Sequence, residues 1–147
     1  MLYDSSVLID YLDGRDAAVE YIESHLDERA VAPQLVLFEV YQGEVFKSGP
    51  TNFDAVDGAL GWLAPVETSA GFARASAQVQ AELDRRGEAL SARDAFIAGA
   101  AVALDESLVV ADDDFDIAGL GGLLDVEFPD RDDATQSSPP TEDPDDE

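Results

Sequence analysis

The apolar runs of this chain that read as β-strands are so short that they can only build a small sheet whose faces are both covered. They are Leu2-Tyr3, Ala30 to Ala32, Pro65 to Glu67, Leu108 to Val110 and Leu124 to Val126. Leu2-Tyr3, Ala30 to Ala32 and Leu108 to Val110 are apolar throughout, without the alternation of a strand with one wet face. Between them lie segments with helical spacing. Val7 to Leu12 is amphipathic and closes at Asp13-Gly14; Asp16 to Glu28 carries Val19, Ile22 and Leu26 one turn apart. Pro33 sits where a helix begins, so Gln34 to Phe46 reads as a helix that Gly49-Pro50 ends. Thr51 to Leu63, Ser69 to Arg86 and the alanine-rich Ser91 to Leu104 supply three more. Strands that alternate with helices imply an α/β fold with a central parallel sheet flanked by helices on both faces. In such folds, sites form beyond the carboxyl ends of the strands.

The chain has 147 residues, 46% of them apolar, which suits one domain with its own core. The last 19 residues, from Pro129, hold eight acids, one arginine and almost nothing to bury; they read as a disordered acidic tail on a domain spanning residues 1–128. No stretch reaches the roughly 18 apolar residues of a membrane span, and the N-terminus lacks a signal-peptide pattern, so a soluble, cytoplasmic protein is expected. With no cysteine and a single histidine, His25, thiolate sites and cysteine nucleophiles are excluded. Any metal must be held mainly by oxygen.

The formal charge is −25, from 33 acids against eight basic residues, with Lys47 as the only lysine. Self-repulsion on that scale weakens a compact state in dilute buffer, but the Debye length shrinks to about 3 Å in 1 M salt. Adaptation to molar salt is the preferred reading, with an acidic partner-binding surface as the other. A basic patch for nucleic acid is absent from the sequence. Lysine–phosphate contacts lose value steeply as salt rises, so this counts only weakly against RNA.

Among so many acids, the informative ones are those whose neighbours predict burial. Asp4 follows the first strand directly and precedes Ser5 and Ser6; it is a site residue or a helix cap. Glu39 lies within Leu35 to Val40, with Val36 and Leu35 one turn back, where an unpaired carboxylate costs several kcal/mol. Asp94 falls three residues after Ser91, as in a capping box, yet shares a face with Ile97, Ala98 and Ala101. Asp112 comes two residues after the apolar strand, in an acidic corner with Asp113 and Asp114. Two acids at strand ends and two on apolar helix faces point to convergence in one cleft. Crowded carboxylates need a cation, and hard oxygen donors select Mg²⁺ or Mn²⁺.

Leu2 to Asp10, LYDSSVLID, resembles the opening of PIN domains, in particular those of the VapC toxins of toxin–antitoxin pairs. LVLFEVYQG (35–43), SARDAFIAGAA (91–101) and LVVADDDF (108–115) are similar to the family's later acidic motifs, in the same order. The resemblance covers residues 1–128. It implies a PIN-like three-layer fold and a metal site of Asp4, Glu39, Asp94 and Asp112, with Ser6 as a nearby hydroxyl and Asp114 as an outer contributor. It also implies metal-dependent endoribonuclease activity, a homodimer, and silencing by a VapB-like antitoxin. One or two Mg²⁺ ions would polarise the scissile phosphate and activate water without a protein nucleophile. Asp4 and Asp94 would be principal ligands, and Asp112 would complete the site or hold the water. Val110 stands where many relatives carry threonine or serine, which removes a hydroxyl. The alternative function is therefore a catalytically inactive PIN-like acidic interaction module.

A haloacid-dehalogenase-type phosphatase would need an aspartate where Ser6 stands, and a receiver domain a lysine after its last strand; neither pattern is met. His25 reads as solvated. Trp62, Phe38, Phe96 and Phe115 read as core, or as stacking platforms if exposed at a cleft rim. Arg93 either offsets local charge or contacts phosphate, with the first preferred.

Overall fold

The computed structural model describes residues 1–130. Five strands, β1 (Leu2–Tyr3), β2 (Val31–Pro33), β3 (Ala64–Val66), β4 (Leu108–Val109) and β5 (Val126–Glu127), form one sheet in the order β3-β2-β1-β4-β5. Every pairing is parallel, with Leu2 opposite both Val31 and Leu108. Six helices connect them: α1 (Ser5–Leu12), α2 (Asp16–Ser24), α3 (Gln34–Phe46), α4 (Phe53–Ala59), α5 (Ala70–Asp84) and α6 (Ala92–Leu104).

The chain runs outward from β1 to β2 and β3, then returns across the sheet to β4. Right-handed crossovers place α1 to α4 on one face and α5 and α6 on the other. The expected three-layer α/β architecture is therefore present. The reversal falls between β1 and β4, the switch point at which open α/β sheets form their crevice.

The β1, β2 and β4 residues Leu2, Tyr3, Val31, Ala32, Leu108 and Val109 are all buried, as strands covered on both faces require. Helix limits follow local chemistry. Asn52 caps α4 by accepting the Ala55 N–H at 3.0 Å, Ser91 caps α6 through the Asp94 N–H at 3.1 Å, and Asp105, at φ 55°, turns the chain out of α6. Between α5 and α6 the backbones almost touch. A methyl placed on Gly99 would lie 2.4 Å from the Ser76 nitrogen and 2.5 Å from its Cα.

The expected helix from Asp16 to Glu28 stops at Ser24. His25 stacks on Tyr21 at 4.1 Å and its backbone N–H turns back to Ile22, leaving Leu26 54% exposed. Phe128, the last residue of the expected domain, packs against the core; of the expected tail, Pro129 is buried and Asp130 exposed. Residues 131–147, on which most of that expectation falls, lie outside the described ones. Among the described residues, no helix is long and apolar enough to cross a membrane.

Candidate metal and nuclease site

The carboxyl end of β1 hands the chain straight to α1, so Asp4 is at once the last extended residue and the helix cap. Its Oδ2 accepts the Ser6 N–H at 3.3 Å and the Ser6 hydroxyl at 2.7 Å. Ser6 Oγ in turn accepts the Ala111 N–H at 3.0 Å, which ties the end of β1 to the end of β4. The cap reading and the site reading of Asp4 are thus compatible. Only 1% of Asp4 is exposed, and its other oxygen, Oδ1, is buried without a hydrogen-bond donor.

Three of the four expected acids converge. Asp94, buried in the first turn of α6, is aimed at the sheet by the same face that buries Ile97, Ala98 and Ala101. Glu39 reaches in from α3, half-buried above Val36 and Val40. The group on which they meet is Arg93. Its Nη2 lies 2.7 Å from Asp4 Oδ1, outside hydrogen-bond alignment, and its Nη1 donates to Asp94 Oδ1 at 2.9 Å. Nε donates to Glu39 Oε2 at 3.0 Å while Nη2 donates to Glu39 Oε1 and, at 3.0 Å, to Ser5 Oγ. Burial alone would lower the affinity of this guanidinium for its proton, but the hydrogen bonds to Glu39, the charge of Asp4 and the hydrogen bond to Asp94 outweigh it and push the pKa further up.

Asp112 follows β4, at the neighbouring edge of the crevice. Its carboxylate caps a short 3-10 turn, Asp113–Phe115, by accepting the Asp114 N–H at 2.9 Å. Among the described residues, no hydrogen bond or ion pair joins Asp112 or Asp114 to the other three acids. Asp114 is exposed. The link from this corner to the cluster runs through the backbone, by way of Ala111 and Ser6. Val110 is fully buried, so its side chain belongs to the core.

The sequence reading of Arg93 as local charge compensation understated it, and Ser5 was missed. The available signal was adjacency: a first-turn arginine next to a first-turn acid, opposite a strand-end serine. Phe38, expected in the core, is instead 59% exposed, because α3 presents Val36 and Val40 to the core and turns Phe38 outward. It lies with Tyr41, Val45 and Phe46 along an apolar face that continues to Phe53 of α4. Phe115 is buried, and Trp62 and Phe96 are half-buried against the core, as expected.

Three hard carboxylates, one of them with a buried oxygen faced only by the Arg93 guanidinium, are a donor set suited to a divalent cation. As the side chains lie, with the guanidinium among them, no group of three or more acids or histidines among the described residues is disposed to coordinate one directly.

A parallel α/β domain with acids gathered at its switch point is compatible with several phosphate chemistries, and sequence comparison narrows the family. The PIN-domain family model matches residues 1–120, and the chain belongs to that family. No curated protein sequence matches significantly. Solved structures share the fold. A chain of VapBC2 from Rickettsia felis, bound to a promoter DNA fragment, is 20% identical over 87% of this chain and 98% of its own, with a TM-score of 0.70. A chain of DNA-bound VapBC from Salmonella typhimurium is 20% identical, covering 87% and 96%, at 0.71. A chain of a Klebsiella pneumoniae toxin–antitoxin complex is 23% identical, covering 87% and 96%, at 0.66.

Proposed function

We propose that the protein is a Mg²⁺- or Mn²⁺-dependent endoribonuclease acting in the cytoplasm as the toxin of a VapBC-type module. The observation that carries this reading is the meeting of Asp4, Glu39 and Asp94 from three separate segments, with a buried Asp4 oxygen that faces only the Arg93 guanidinium. These three would hold the cation, with Asp112 as the next candidate at the β4 edge. When bound, the cation supplies Lewis-acid polarisation of a phosphodiester. The protein's own contribution is geometry. The Ser6 hydroxyl fixes Asp4 Oδ2, which turns Oδ1 toward the cleft and Arg93, and the α6 cap at Ser91 fixes the rotation of Asp94.

The fold likeness to chains of VapBC complexes favours an antitoxin partner, and the apolar α3–α4 face fits one. Phe38, Tyr41, Gln42 and Val45 recur at i, i+3, i+4 and i+7, and Asp57 on α4 adds an acidic rim. A partner segment with apolar anchors and basic flanks suits that face, and from there it lies on the helix that carries Glu39. Assembly as a homodimer belongs to the same proposal, and sedimentation of the pure chain is expected to give twice the monomer mass.

The deciding assay compares RNA cleavage by the wild type, Asp4→Asn and Asp94→Asn with Mg²⁺ or Mn²⁺ and with EDTA. We expect each substitution to lower the rate by about 100-fold or more and EDTA to abolish it. Cleavage that survives both substitutions would sink the reading. The second reading, a non-cutting interaction module, is favoured by one observation: Arg93 alone already binds all three acids. It predicts no cleavage by the wild type with either metal.

A further inference from the structure

We propose that Arg93 is the built-in occupant of the carboxylate cluster, and that its guanidinium and a divalent cation exclude one another there. The inference rests on the metal-site reading above and adds the state of the protein before metal arrives. A cation bound to this cluster would take Asp4 Oδ1, since Ser6 holds Oδ2, together with a carboxylate oxygen of Asp94, and Nη2 and Nη1 already approach Asp4 Oδ1 and Asp94 Oδ1 at 2.7 and 2.9 Å. Magnesium requires its oxygens at about 2.0–2.1 Å in near-octahedral order. A guanidinium wedged against the same atoms leaves no room for that shell.

Arg93 can yield, whereas Asp4 and Asp94 cannot. The Asp4 and Asp94 side chains are 2% and 7% exposed, whereas that of Arg93 is 26% exposed at the rim of the crevice. It stands on the first turn of α6, where rotation about its side-chain bonds carries the head into solvent without moving the backbone. Glu39, with its side chain 27% exposed, stays with the cluster as its third carboxylate when the guanidinium leaves. Charge drives the exchange. One guanidinium against three carboxylates leaves two negative charges, and a divalent cation leaves one. The displaced head remains beside the cleft with its planar fork free, the geometry that matches a backbone phosphate. Arg93 thus alternates between counter-ion of the unloaded site and phosphate contact of the loaded one.

Two measurements without RNA test this. Calorimetric Mn²⁺ titration of Arg93→Gln is expected to show binding at least tenfold tighter than wild type, because nothing must be displaced. In the wild type, labelled at arginine nitrogens, Mg²⁺ saturation is expected to move the Arg93 Nε–H resonance from a hydrogen-bonded to a solvent-exchanging position. Arg93→Lys assigns that resonance by its loss, and the spectrum stands even if Arg93→Gln fails to fold. Mn²⁺ binding of equal strength in both proteins, or an Nε–H signal unchanged at Mg²⁺ saturation, overturns the exclusion alone. No Mn²⁺ binding by either protein overturns the metal site and this inference with it.

Discussion

Gly99→Ala is expected to destabilise the protein by about 3 kcal/mol or more, lowering Tm by roughly 10 °C. The added methyl would meet Ser76 Oγ at 2.2 Å and, more seriously, the Ser76 backbone nitrogen and Cα at 2.4 and 2.5 Å. A side chain could rotate away, but backbone of a 15-residue helix cannot shift at one residue. The two helices must separate, which loosens Ser76, whose hydroxyl donates to Phe72 O at 2.7 Å, and opens the packing around Phe72 and Val79. Total stabilities of such domains are only about 5–15 kcal/mol. The matched control is Gly58→Ala in α4, where a Cβ meets nothing within 4 Å. There the gain in helix propensity should stabilise by about 0.5–1 kcal/mol. Thermal melts of the two variants side by side check both signs. Equal melting of Gly99→Ala and wild type would mean that α5 and α6 stand further apart than described.

Salt is expected to act as strongly. Between 0.1 and 2 M KCl, Tm should rise by on the order of 10 °C, with most of the gain below 1 M, as the Debye length falls from about 10 Å to 3 Å or less. The charge is −25 overall, and its arrangement is unfavourable locally. On α2 the exposed Asp16, Glu20 and Glu23 occupy i, i+4 and i+7, one stripe of like charge. Glu20→Lys breaks that stripe, so it should stabilise by about 0.5 kcal/mol at 0.1 M KCl and by almost nothing at 2 M. The salt dependence of this one substitution separates screening from a general effect of salt on apolar burial. A flat Tm between 0.1 and 1 M would remove the case for adaptation to molar salt.

What could be read in the sequence was whatever short-range chemistry decides. Pro33 marked the start of α3, and its limits, Gln34–Phe46, are those expected. The central strands stood out because Leu2-Tyr3, Ala30 to Ala32 and Leu108 to Val110 are apolar on both faces, and β5 was displaced by only a residue or two, to Val126–Glu127. Elsewhere tertiary contact took over. Leu35 to Val40 is apolar on nearly every side, so its periodicity could not tell that Val36 and Val40 face inward and Phe38 outward. The convergence of Asp4, Glu39 and Asp94 was legible because each carried its own sign of burial. Arg93 was not, since a guanidinium among acids looks the same in sequence whether it is solvated or bound to three of them. Asp112 shows the opposite limit. Its position after β4 was right, its Oδ1 caps the next turn at the Asp114 N–H, and among the described residues no hydrogen bond or ion pair joins it to the other three acids.

The sheet ends on two strands that offer little to a newcomer. At one side β3 carries Pro65, which has no N–H to give, and at the other β5 is two residues long. A further strand, from another copy or from a partner, would find almost no ladder to extend. Whatever assembles with this protein must therefore grip it through helix surfaces, and its quaternary structure can be rewritten by changing a few outward side chains without disturbing the sheet.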